Sequence, residues 1–171
     1  MNSYVKALVY LLLFSVLHFL YDLTHWAVLT PFCGTNESVF QHLKMAFWSY
    51  LAASAIEYAA AKQRVRETAA FWYSRLLSTV FVPWLVFLIW YVGPALCGKL
   101  EPLPVELLWA LAVTYISGVM GGVLEKQLAG NKPTVVFRVL VVILVVVSAL
   151  LYVRFTYKLP WIDLFVDPAG L

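Results

Sequence analysis

Residues 135–157 read Val-Val-Phe-Arg-Val-Leu-Val-Val-Ile-Leu-Val-Val-Val-Ser-Ala-Leu-Leu-Tyr-Val-Arg-Phe-Thr-Tyr, with no charged side chain between Arg138 and Arg154. A hydrocarbon core of roughly 30 Å needs about 20 helical residues, so this run has the length and polarity of a membrane-crossing helix. The composition around it agrees. Hydrophobic residues make up 63% of 171 and charged residues 12%, and a soluble globule has too little polar surface to cover that much apolar side chain. Four further stretches of similar length precede it, giving five expected spans near Tyr4–Leu29, Glu37–Ala61, Thr68–Val92, Val105–Glu125 and Val135–Tyr157. The expected architecture is therefore all-α, a polytopic five-helix membrane bundle over residues 1–171 as one domain.

The first stretch reads as a retained span, since its apolar run is long, carries His18 and Asp22, and lacks a small-residue cleavage site. Five spans put the termini on opposite sides. Lys6, Lys62, Arg64, Arg66, Lys126, Lys132 and Arg138 fall on one side, and Lys99, Arg154 and Lys158 on the other. The positive-inside rule makes the N-terminus cytoplasmic and the C-terminus extracytoplasmic. The net charge of +3 follows from this loop bias and is no argument for nucleic acid as a partner.

Short loops and the absence of a 20 to 50 residue repeat favour one compact bundle. Thr30-Pro31-Phe32-Cys33-Gly34-Thr35 is dense in helix breakers, and Thr35 or Asn36 can cap the second helix with Glu37 in its first turn. Cys33 and Cys97 both fall in outer loops, where the redox environment allows a disulfide and two unlinked thiols are the alternative. Pro83 is expected to kink the third helix, and Gly118 with Gly122 forms a small-xxx-small pair suited to close helix contact. The tail 159–171 is expected along the outer interface, anchored by Trp161 and Phe165. The remaining tryptophans fall mostly near helix ends, as interface anchors do.

The costly polar groups concentrate in His18-Phe19-Leu20-Tyr21-Asp22-Leu23-Thr24-His25 and Asn36-Glu37-Ser38-Val39-Phe40-Gln41-His42-Leu43-Lys44, which hold all three histidines. Ionisable groups in hydrocarbon persist mainly where they pair, bind an ion or line a wet cavity. His18, Asp22 and His25 are spaced i, i+4, i+7, one stripe of the first helix. The second helix begins at the same outer surface, so Asp22, His25, Glu37 and His42 can meet there.

Three chemistries fit that meeting. Imidazoles and carboxylates are ligands for a divalent metal such as zinc, with an open position for an activated water and hydrolysis or group transfer on a lipid-like substrate. The ligand candidates are His18, His25, His42 and Asp22, with Glu37 as ligand or general base and Lys44 and Asn36 holding developing negative charge or a polar headgroup. A metal-free His and carboxylate pair could transfer protons instead. The groups could also simply satisfy one another. Further classes are an ion- or proton-coupled carrier, which a homodimer could complete, and a non-enzymatic assembly partner suggested by the Gly118 and Gly122 face.

Glu57 lies about 30 Å along the second helix from Glu37, near the cytoplasmic face, where an ion pair with Arg75 is expected. Glu125 reads as interfacial.

His18-x-x-Tyr21-Asp22, followed by Asn36-Glu37-Ser38-Val39-Phe40-x-His42-Leu43-Lys44, resembles an uncharacterised family of small prokaryotic multi-pass membrane proteins with a similar Asn-Glu-Ser-x-aromatic-Glu-His-Leu-Lys segment. Leu164-Phe165-x-Asp167-Pro168 is similar to that family's C-terminal signature. The resemblance covers most of the chain in layout and is specific in these two segments. It implies a multi-pass membrane fold and a site in this segment, with no particular activity; Gln41 stands where the segment carries Glu. A looser similarity, in the His18-x-x-x-Asp22 spacing, is to the four-helix sterol-isomerase-like membrane proteins, whose intramembrane His and acidic residues imply proton transfer.

Overall fold

A computed structural model describes residues 1–167 apart from Arg66 and Asn131, and leaves the side chains of Arg64 and Asp163 undescribed. Arg66 of the inner charge count, Pro168 of the C-terminal signature and the end of the expected tail lie outside the described residues. Five helices follow in order: α1 (Ser3–Thr24), α2 (Val39–Ala61), α3 (Thr68–Cys97), α4 (Leu103–Ala129) and α5 (Val135–Tyr157).

Local chemistry fixes several boundaries. Asn2 opens α1 by accepting a hydrogen bond from the Tyr4 backbone N–H at 3.2 Å, and Thr134 caps α5 by accepting from Phe137 at 3.3 Å. His25 closes α1 in the left-handed conformation (φ 52°), its N–H returning to the Tyr21 carbonyl. The start of α2 differs from expectation. The Asn36 side chain accepts from the Ser38 N–H at 3.0 Å, a local turn that delays the helix until Val39. Glu37 thus stands in the loop ahead of α2. α3 runs through both Pro83 and Pro94 to Cys97, beyond the expected end.

α1 packs on α2 and α4, α2 on α3, and α3 on α4, so the first four helices close a ring, while α5 lies outside it against α3. Gly118 and Gly122 let α1 approach α4. A Cβ on Gly118 would stand 2.7 Å from Tyr10 Cδ1, and one on Gly122 2.8 Å from Ser3 Cβ. Between the two ends the ring is filled by Tyr10, Phe14, Met45, Ala46, Tyr50 and Val82.

Four of the five helices, α1, α3, α4 and α5, are long and apolar enough to cross a membrane. α2 is long enough, at 23 residues, but its composition is too polar: Gln41, Lys44, Ser49, Ser54 and Glu57 are among its twelve buried positions. The reason lies in the packing. α2 faces other helices on most sides and carries the bundle's internal polar groups, whereas α5 buries only Val141 and is apolar all round.

At the end bearing the N-terminus and the α2–α3 and α4–α5 loops, here the lower end, each ring helix contributes one charge, buried for Lys6, Glu57 and Glu125 and half-buried for Arg75. Lys6 Nζ of α1 lies 3.1 Å from Glu57 Oε2 of α2 and 2.5 Å from Glu125 Oε1 of α4. Arg75 of α3 donates to Glu57 at 3.1 and 3.2 Å and stands 3.5 Å from Glu125. Tyr50 donates to Glu125 at 2.8 Å, Lys6 to Ser54 at 2.9 Å, and the Met1 amine to Glu57 at 3.0 Å. Alternating charges and satisfied lone pairs are what offset the desolvation of buried ions. Glu125, read from the sequence as interfacial, is buried in this ring.

Candidate metal centre at the upper end

The upper end carries the α1–α2 and α3–α4 loops. There His18 of α1, Glu37 of the loop and His42 of α2 each offer one ligand atom within 4.8 Å of the others. His18 Nε2 is 3.7 Å from Glu37 Oε1, and His42 Nε2 is 3.5 Å from Glu37 Oε2. Tetrahedral zinc with bonds near 2.1 Å separates its ligand atoms by about 3.4 Å, so a small inward movement would bring all three onto one ion.

The sequence explains how these side chains meet. His18 sits on the α1 stripe continued by Tyr10 and Phe14, facing the bundle. His42 enters one turn into α2, and its Nδ1 lies 3.0 Å from the Ser38 carbonyl. With Nδ1–H donating there, the lone pair sits on Nε2, towards Glu37. Phe14 flanks both imidazoles, at 6.4 and 6.3 Å between ring centres. The loop passes close beside His18: the Gly34 N–H donates to the Leu17 carbonyl at 3.1 Å, and a Cβ there would meet Met45 Sδ at 2.9 Å and His18 Nδ1 at 3.6 Å. His18 Nδ1 is buried without a hydrogen-bond partner among the described residues. The site is graded in exposure, with His18 at 23%, His42 at 32% and Glu37 at 56%, so it is most open on the carboxylate side.

The other residues read as candidates stand elsewhere. His25 leaves the His18 stripe because α1 ends at Thr24; it is exposed, its ring edge-on to Tyr21. Asp22 is exposed one turn beyond His18 and outside the three-atom group. Asn36 is engaged with the Ser38 N–H. Lys44 is buried on another side of α2, donating to the Thr30 carbonyl at 2.8 Å and to Thr156 Oγ1 at 3.3 Å, which ties the loop to α5. Cys33 and Cys97 are free thiols, the first buried and the second exposed. Burial pushes the Cys33 thiol above its ordinary pKa, and nearby Lys44 pulls the other way. The Glu57 and Arg75 pair belongs to the lower ring.

Sequence reasoning passed over Lys6 and Glu125 as partners in that ring. A signal was present: Lys6, Glu57, Arg75 and Glu125 stand within two turns of the same end of four successive antiparallel helices, and equal depth is what allows one level of charges to close.

No curated protein and no solved structure matches the chain. A family model described as a family of unknown function, DUF6512, matches residues 3–170. With that match running nearly from end to end, a helical chain of membrane type with a His/Glu group at its upper end belongs to the DUF6512 family.

Proposed function

We propose that His18, Glu37 and His42 bind one divalent metal ion, zinc being the natural occupant of a two-imidazole, one-carboxylate set. The observation that carries this reading is the convergence of three donor atoms within 4.8 Å from three separate segments. An ion held by three protein groups keeps a fourth position for water, whose pKa it lowers towards neutrality. The half-exposed carboxylate side is where that water would stand. The chemistry that follows is metal-assisted hydrolysis or group transfer on a lipid-like substrate at the membrane boundary.

In this reading all five helices cross the bilayer, α2 being shielded from lipid by its neighbours. The N-terminus is cytoplasmic and the metal faces outward, as the lysine and arginine bias of the loops supports. Chemistry at one face is favoured over carriage across the bundle by the packed layer of Tyr10, Phe14, Met45, Ala46 and Tyr50 between its two polar ends.

Elemental analysis of the purified chain, wild type beside His18→Ala, His42→Ala and Glu37→Gln, tests the metal. The reading expects one ion per chain, lost in both histidine variants and weakened in Glu37→Gln. Metal-dependent cleavage of a fluorogenic lipid ester or phosphoester then tests the chemistry.

A further inference from the structure

A second feature of the upper end is independent of the metal. The last turns of α3, the loop that follows and the first turn of α4 line an open cleft of about 420 Å³. Half-buried Trp90, Pro94 and Leu100 give it an apolar wall, and Lys99, Glu101 and Glu106 give it charge. The wall is held from behind: Trp109 Nε1 donates to the Trp90 carbonyl at 3.0 Å, and a Cβ on Gly93 would meet that nitrogen at 2.7 Å.

The charges are unequal. Lys99 pairs with Glu101 at 2.6 Å, while Glu106 has no cationic partner among the described residues. Both side chains of the Lys99–Glu101 pair are exposed, and such surface pairs hold weakly, so Lys99 can exchange Glu101 for another anion, while Glu106 is a carboxylate in excess that calls for a cation. Beside it Leu96, Leu103 and Leu107 are exposed, on helices apolar enough to cross a membrane, so an acyl chain leaving the cleft would lie against apolar side chains.

We propose that this cleft binds the headgroup of a phosphatidylethanolamine from the leaflet that meets the upper end. Its primary ammonium donates to Glu106, its phosphate accepts from Lys99, and its glycerol backbone rests on Trp90 and Leu100. A quaternary choline cannot donate N–H to a carboxylate, and a glycerol headgroup brings no cation. The cleft thus distinguishes headgroups that share the same acyl chains.

Native mass spectrometry of the chain in mild detergent, with short-chain phosphatidylethanolamine, phosphatidylcholine and phosphatidylglycerol offered in equal amounts, reads this directly. One charge-assisted hydrogen bond gained predicts retention of the ethanolamine lipid about tenfold above the other two. Glu106→Gln should remove that preference and Lys99→Met should weaken all phospholipid retention at the site. Equal retention of the three headgroups by the wild type overturns the proposal whatever the variants do, and so does a preference that survives Glu106→Gln. Glu106 is half-buried at a helix start, so helicity and melting of Glu106→Gln should match the wild type.

Discussion

Lys6 and Glu125, separated by 119 residues in the chain, lie 2.5 Å apart (Nζ to Oε1) with side chains 1% and 2% exposed. That contact joins α1 to α4 and, with Glu57 and Arg75, closes the four-helix ring at its lower end. Removing one member strands the charge of another where water cannot reach it, a loss of about 3–5 kcal/mol for buried pairs. Lys6→Met and Glu125→Gln should each lower the unfolding midpoint in detergent markedly. Lys6→Met combined with Glu125→Gln should fall well short of the sum, because the pair leaves together. Additive losses would mean that the two side chains contribute separately.

The close α1–α4 approach rests on missing side chains. Gly118→Val places new carbons within 2.7 Å of the Tyr10 ring and 3.2 Å of the Ala7 backbone. Overpacking of this kind costs about 1–3 kcal/mol, and a backbone neighbour cannot rotate away. Gly130→Ala, with nothing within 4 Å of its Cβ position, should melt with the wild type; equal melting of Gly118→Val would remove the close contact.

The two thiols should differ in reactivity. The thiolate is the nucleophile, and burial both covers Cys33 and raises its pKa. Near neutral pH a maleimide should modify exposed Cys97 within minutes and buried Cys33 far more slowly, with faster Cys33 labelling as the pH rises. Absence of any labelling before reduction would reveal a bridge between them.

Much of this organisation was legible from residue types alone. The layout of long apolar helices follows from length and composition, since an apolar run as long as Val135–Tyr157 matches the thickness of a bilayer's hydrocarbon core. What lay beyond the sequence depended on boundaries and on depth. The stripe of His18, Asp22 and His25 assumes a helix continuing past residue 25, and α1 stops at Thr24 with His25 turned left-handed. Placing Glu37 in a helix overlooked the Asn36 side chain taking the Ser38 N–H, which leaves Glu37 in the loop beside both histidines. α2 looked like an ordinary span by length, yet its polar residues are internal partners of the bundle. Lys6 and Glu125 looked like surface charges because each lies near a helix end, where only the common depth of four helices reveals a ring.

Gly34 holds the loop against His18, so Gly34→Ala tests whether that position sets the metal geometry. Its Cβ would meet Met45 Sδ at 2.9 Å, the far end of a flexible side chain, and the fold should survive. Displacement of the loop carrying Glu37 should weaken metal affinity by about 10- to 100-fold, the usual cost of disturbing the groups that orient ligands. Affinity unchanged from wild type would place the ion, if bound, elsewhere.

The proposed metal site comprises His18, Glu37 and His42, with His25 and Asp22 outside it. Metal content per chain, measured on wild type, His18→Ala, His42→Ala and His25→Ala purified side by side without chelator, addresses it most directly. The predicted result is one divalent ion in the wild type and in His25→Ala, and none in the other two. A metal-free wild type that also takes up no added zinc, or an ion lost with His25 and retained without His18, would contradict it.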